Sequence, residues 1–202
     1  MRAVHGHVRV GLDGEDRGKA EGVPFASPGL GSHGHLVGEL FSSRAKLKMT
    51  HVPYNGGGPA VVDLMSGHIP TGFMTLGSLS QQVRSGKIRL LAVASAGRVA
   101  AFPDVPTFAE LGYKELTGAT WFGLAGPAQL PREITLKLNS AVRKALADPD
   151  VRAKLNAEAI EVGDLDPEKT AEFFRAEYAR WAPIARQVPK KAAGPTPKTE
   201  AR

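Results

Sequence analysis

Two glycine-rich stretches hold the residues best placed to bind something. The first is Ser27-Pro28-Gly29-Leu30-Gly31-Ser32-His33-Gly34-His35, the second Val52-Pro53-Tyr54-Asn55-Gly56-Gly57-Gly58-Pro59. In both, a strand-like segment ends, glycines let the backbone come close to a ligand, and a helix-like segment begins. A helix start displays N–H groups without intrahelical partners and the positive end of the helix dipole. Together these favour an anion by about 0.3–1 kcal/mol for a surface charge. Taken singly, the first stretch also fits a plain strand-to-helix turn with a serine cap, and the triple glycine a loop that nothing constrains. Met74-Thr75-Leu76-Gly77-Ser78 follows the next strand-like segment in the same position. In an open parallel sheet ligands sit beyond the carboxyl ends of the strands, where all three stretches fall.

Other chemistries find less support. Histidines occur at His5, His7, His33, His35, His51 and His68, but H-E-x-x-H is absent, and His33 and His35 splay apart at a helix start, so no metal is expected. The nucleophile elbow G-x-S-x-G and the phosphate loop G-x-x-x-x-G-K-[ST] are also absent. The cysteine count of 0 excludes disulfides, thiolate metal sites and cysteine nucleophiles. No catalytic residue and no cofactor is assigned.

The elements that must position these stretches alternate in the α/β manner. Strands are expected over 24–27, 48–52, 69–75, 88–94 and 119–126, and helices over 32–41, 59–65, 78–84, 131–147, 149–157 and 167–185. The repeated strand, glycine turn, helix unit predicts a mostly parallel sheet flanked by helices. Thr107 and Glu110 have capping-box spacing, a structural device to which no chemistry is assigned.

Around this body lie two different ends. Residues 1–22 scatter glycine and balanced charge without a period and read as a loosely ordered leader, with no apolar stretch of the kind a secretory signal needs. Residues 187–202 read as a disordered basic tail. The net charge of +6 is concentrated there: from Arg186 onward five bases stand against Glu200 alone. A basic tail on a nearly neutral body is no nucleic-acid footprint, which needs the charge on one folded face. No apolar run approaches the roughly 20 residues of a membrane span, so no direct membrane insertion is expected.

The order of motifs resembles the Bug family, the solute receptors of tripartite tricarboxylate transporters. The resemblance rests on Ala26-Ser27-Pro28, Gly29, Gly31-Ser32, His35-Leu36, Glu39-Leu40-Phe41, then His51-Val52-Pro53-Tyr54 and Gly56-Gly57-Gly58-Pro59-Ala60. It continues through Gly86-Lys87-Ile88-Arg89, Leu91-Ala92-Val93, Pro103-Asp104-Val105-Pro106-Thr107, Trp121-Phe122-Gly123-Leu124, Pro127, Leu138-Asn139, Ala147-Asp148-Pro149, Val151 and Trp181. It implies a periplasmic-binding-protein-like (type II) fold, with a small carboxylate held in the cleft of a two-lobed periplasmic receptor, largely by backbone N–H groups. The membrane subunits of the transporter are the implied partners. Mapped here, Ser27, Gly29, Gly31, Ser32 and His33 fall on the first ligand turn, Tyr54, Gly56 and Gly57 on the second, and Met74 and Thr75 on a third wall. Residues 23–126 would be the second lobe and 127–186 returning helices that pack on a first lobe with no counterpart in 1–22, the expectation being a truncated form. The ligand-sensing domain of a transcription regulator shares this architecture but needs a helix-turn-helix that 1–22 is too short and glycine-rich to supply. An enzyme acting on a carboxylate is the remaining alternative.

Overall fold

The structure, a computed structural model, describes residues 22–188. The expectations for a leader over 1–21 and a tail over 189–202 lie outside the described residues. The described chain divides into a unit ending at Thr120 and a helical unit, Trp121–Gln187.

The first unit is built on β1 (Val23–Ser27), α1 (His33–Arg44), β2 (Met49–Pro53), α2 (Gly57–Ser66), β3 (Thr71–Gly72) and α3 (Leu76–Arg84). The three strands run parallel in the order β2-β1-β3. Central β1 reads Val-Pro-Phe-Ala-Ser, and Val23, Phe25, Ala26 and Ser27 are all buried, as befits a strand covered on both faces. Alternation sorts the two faces. Phe25 lies beneath α1, whereas Ala26 joins Tyr54, Ala60 and Ile69 in a cluster with Val52, Leu64 and Met74. Register places His51 of β2 beside Phe25, hence on the α1 side of the sheet, where their rings lie 5.0 Å apart. Under the far part of α1, Phe41 gathers Phe73, Phe108 and Tyr113 at centroid separations of 5.4–5.8 Å.

The second unit holds α4 (Arg132–Ala147), α5 (Pro149–Ala157) and α6 (Pro167–Gln187), close to the expected bounds. Asp148 caps α5 by accepting from the Asp150 and Val151 N–H groups. None of the three helices has a buried residue, and Ile134, Leu136, Leu138, Phe173, Phe174 and Tyr178 are exposed.

Three strand expectations do not hold as drawn. The 69–75 segment pairs only over Thr71–Gly72, and 88–94 makes a single bridge, Val93 to Thr107. The 119–126 segment forms no strand and straddles the boundary at Thr120. β-propensity reports how a side chain fits a pleated surface; a ladder also needs a neighbouring edge along its length, and 69–75 and 88–94 meet one over two residues at most. α2 begins at Gly57, two residues ahead of Pro59, which the first turn tolerates because its N–H groups have no intrahelical partners. The Thr107–Glu110 capping box is formed: Thr107 N–H donates to Glu110 Oε2 at 2.7 Å, and Glu110 N–H to Thr107 Oγ1 at 3.1 Å. It closes a single turn, not a helix.

Gly38 marks where α1 meets the sheet most closely, since a Cβ there would stand 2.3 Å from Phe25 Cε2. Gly38→Ala is therefore expected to lower stability by about 1–3 kcal/mol through overpacking. The urea midpoint reads this, and an unchanged midpoint would contradict the packing described.

Candidate functional site

Main-chain bonds beyond the sheet draw the three corners together. Tyr54 N–H donates to Ser27 O (3.1 Å), Gly56 N–H to Pro28 O (2.9 Å) and Phe73 N–H to Ala26 O (2.9 Å). The first corner is pressed against the third: a Cβ on Gly34 would lie 2.1 Å from Phe73 O, so only glycine fits. The second touches the third as well, a Cβ on Gly57 falling 2.7 Å from Ser78 Oγ and 3.5 Å from Met74 Cε. The starts of α1, α2 and α3 thus share one end of the sheet.

Their caps differ. Ser32 caps α1, its Oγ accepting from His35 N–H (3.2 Å) while donating to Gly29 O (2.7 Å). α2 and α3 have no side-chain cap bond at Gly56 and Thr75. Gly56 takes φ 99°, a left-handed value suited to glycine, and the N–H groups of Gly57 and Gly58 behind it have no partner among the described residues. Thr75 Oγ1 pairs with Ser78 Oγ at 2.8 Å. The three corners, Ser27 to His33, Pro53 to Pro59 and Phe73 to Ser78, contain no lysine, arginine or carboxylate. An anion here would meet peptide dipoles and hydroxyls, not a formal charge.

Of the residues assigned from sequence, Gly29, Gly31, Ser32, His33, Gly56, Gly57, Met74 and Thr75 are at least partly accessible along these corners. Ser27 is wholly buried and Tyr54 is 9% exposed, so neither side chain forms the surface. Tyr54 donates its hydroxyl to Asp63 Oδ2 at 2.7 Å, and burial together with that carboxylate pushes its phenol well above the usual range. His33, at the start of α1, bonds Thr120 Oγ1 through Nδ1 at 3.2 Å. Gly29-Leu30-Gly31-Ser32-His33-Gly34 also has the G-x-G-x-x-G spacing of dinucleotide sites, yet Gly29 N–H donates to Ser27 Oγ (3.2 Å) and Gly31 N–H to His35 Nδ1 (3.0 Å). Those donors are engaged inside the turn, and β2 ends on Pro53, followed by Tyr54, where such sites carry the acidic residue that holds a ribose.

Sequence reasoning passed over the layer behind the first corner. Ser27 Oγ lies 2.6 Å from His51 Nε2, and the His51 ring stacks on His35 with centroids 3.7 Å apart. His51 Nδ1 is buried without a partner, which favours a bare lone pair there over an orphaned N–H. The bonds then run from His51 Nε2–H to Ser27 Oγ and from the Ser27 hydroxyl to Gly29 O at 3.1 Å. Though it resembles a nucleophile and base, the pair cannot act on a substrate, because Ser27 is 0% exposed. The available signal was positional: His51 shares the inward alternation of Phe25, and His35 sits beside the apolar Leu36 and Val37.

The fold matches solved solute-binding proteins. A structure described as a periplasmic transporter superposes with a TM-score of 0.78 at 33% identity, covering 86% of this chain and 59% of the other. R. palustris Rpa4515 with adipate gives 0.75 at 30% identity, covering 86% and 58%. MatC (Rpa3494) from Rhodopseudomonas palustris with bound malate gives 0.70 at 29%, covering 81% and 56%. The fold is that of an α/β lobe of the periplasmic-binding-protein type. The profile of the tripartite tricarboxylate transporter family receptor matches residues 16–189, and the chain belongs to that family. Protein BugT of Bordetella pertussis is 36% identical over 169 residues, covering 84% of this chain and 52% of BugT. A UPF0065 protein from the tcbD-tcbE intergenic region of Pseudomonas sp. is 37% identical over 160 residues, covering 79% and 48%. The chain spans about half the length of these curated relatives. Among the described residues no helix is long and apolar enough to cross a membrane, and no group of three or more His, Cys, Asp or Glu side chains is placed to hold a metal.

Burial, and secondarily the neighbouring His35, lowers His51 from 6.5 to about 4. The folded chain then binds fewer protons than the unfolded chain between these values, so stability is full above pH 6.5 and falls as pH drops toward 4. The expected loss is on the order of 3 kcal/mol. Urea unfolding as a function of pH measures it. His51→Phe, which keeps a ring against Phe25 and His35, should flatten the slope; an unaltered slope would contradict the assignment.

Proposed function

We propose that this chain supplies one lobe of an extracytoplasmic solute receptor and takes a small carboxylate at the three-corner end of its sheet. The observation that carries this reading is the pair of uncapped N–H groups of Gly57 and Gly58, beside the glycine corner of α1 and the Met74–Thr75 wall. A carboxylate would accept from those groups, with the Ser32 and Thr75 hydroxyls and His33 at its edge and the dipoles of α1, α2 and α3 favouring its charge. Recognition of this kind selects the acid group common to many ligands; the malate and adipate held by two structural neighbours make dicarboxylates the first choice.

Family membership supports transport over catalysis, with the membrane subunits of a tripartite tricarboxylate-type transporter as partners and the periplasm as the location. In this reading residues 23–126 are the second lobe of the clamp, and the exposed apolar side chains of α4 and α6 belong to the surface on which an opposing lobe packs. One lobe alone lacks half the contacts, so its grip is weak.

Calorimetry with malate and adipate on this chain tests the reading. Weak 1:1 binding is expected, with affinity falling about tenfold in Gly57→Val, which fills the corner against Ser78 and Met74. Absence of binding by any carboxylate, or binding indifferent to Gly57→Val, would overturn the site. Tight binding would overturn the half-clamp.

A further inference from the structure

The layer of histidines behind the first corner is placed to control it. Gly29 and Gly31, the two glycines that shape the turn, are each tied through their N–H groups to this layer: Gly29 to Ser27 Oγ, which His51 Nε2 also contacts, and Gly31 to His35 Nδ1. Neither tie is to the helix or the sheet ladder. Only the Gly31 tie depends on the protonation of an imidazole, since His51 Nε2 carries hydrogen toward Ser27 in either charge state. Because Nδ1 of His35 accepts from Gly31, its neutral ring carries hydrogen on Nε2, and the only place for a second proton is the atom that Gly31 uses. Protonating His35 therefore turns an acceptor into a donor facing another donor. Protonating His51 would place N–H on Nδ1, buried and without an acceptor, in a ring stacked 3.7 Å from His35.

We propose that His35 and His51 are positioning residues of the carboxylate corner, His51 bracing Ser27 behind Gly29 and neutral His35 holding Gly31, so that protonation of His35 releases the Gly31 side of the corner and weakens its hold on an anion. The effect on ligand rests on the receptor reading above; the release of the corner does not.

The groups facing the pair are few. β1 carries no titratable side chain and β2 carries only His51. On α1, Glu39 stands 3.8 Å from His35 Nε2, too far for a hydrogen bond but close enough to favour a cation there. Glu115, from the short turn Lys114–Leu116 that also packs on α1, is paired instead with Arg44, the last residue of α1. Burial holds both imidazoles below the ordinary histidine value, a charge on one disfavours a charge on the other, and Glu39 beside His35 favours the first proton there.

Amide hydrogen exchange by NMR tests this on the chain as it stands. In the wild type, the Gly31 amide is expected to be protected at neutral pH and, after correction for intrinsic rates, to lose protection at least about tenfold between pH 6.5 and about 4. The Phe73 amide, bonded to Ala26 O, should stay protected over the same range. His35→Asn offers an acceptor in the place of Nδ1 that does not titrate, and should keep Gly31 protected throughout. His35→Ala should leave it unprotected at every pH. Gly31 protection independent of pH, or acid release undiminished in His35→Asn, would overturn the proposal, and both readings stand even if His35→Ala fails to fold. Malate calorimetry at neutral pH and at about pH 4, the acid end of the same window, supplies the functional arm. The wild type should weaken more than His35→Asn, which corrects for protonation of malate itself. Absence of malate binding in both proteins at both pH values would count against the receptor reading, with Gly31 exchange still judging the device.

Discussion

Three main-chain hydrogen bonds past the end of a three-stranded parallel sheet, Tyr54 to Ser27, Gly56 to Pro28 and Phe73 to Ala26, hold the rest of this arrangement in place. A parallel ladder sets neighbouring strands in the same direction, so the segments that follow them emerge on the same side. Extending the pairing one residue beyond each strand fixes the turns as well as the strands. Glycine at positions 34 and 57 then lets backbone approach where a side chain would hold the corners apart. What results is a patch of peptide dipoles with no formal charge.

The same corner is supported from behind by groups that an apolar core would ordinarily exclude. Ser27, His35 and His51 are among the few buried polar residues of the described chain, and they lie together between β1, β2 and α1. Burying polar groups carries a cost unless they are hydrogen-bonded. Here the bonds run outward to Gly29 and Gly31, so the layer fixes the shape of a loop that neither helix nor sheet would otherwise specify. Stability that depends on neutral histidine follows directly from that construction.

Much of this was legible in the sequence because local signals agreed with the fold. Ser32 caps α1 as its position suggests, Asp148-Pro149 opens α5, and the glycine corners fall at strand ends. A strand at 69–75 was legible but not its shortening to Thr71–Gly72, nor the irregular course of 88–94, where Ile88, Leu90, Leu91 and Val93 suit a strand whether or not an edge is there to receive them. Within the site, Ser27 and Tyr54 read as ligand contacts because they border the glycines, yet the end of a strand can point inward, and both do. The pairing of His35 with His51 joins residues from different elements, and only register and helix placement bring them together.

The central claim is that an acid group is held by peptide N–H groups at the joined corners. Titrating malate or adipate into nitrogen-15-labelled protein and following every amide tests it most directly. The account predicts that the largest shifts fall on Gly57 and Gly58, with smaller ones along Gly31 to His33 and at Thr75, and none on α4 to α6. Shifts centred on the helical unit, or spread without focus over lysine and arginine side chains, would contradict it.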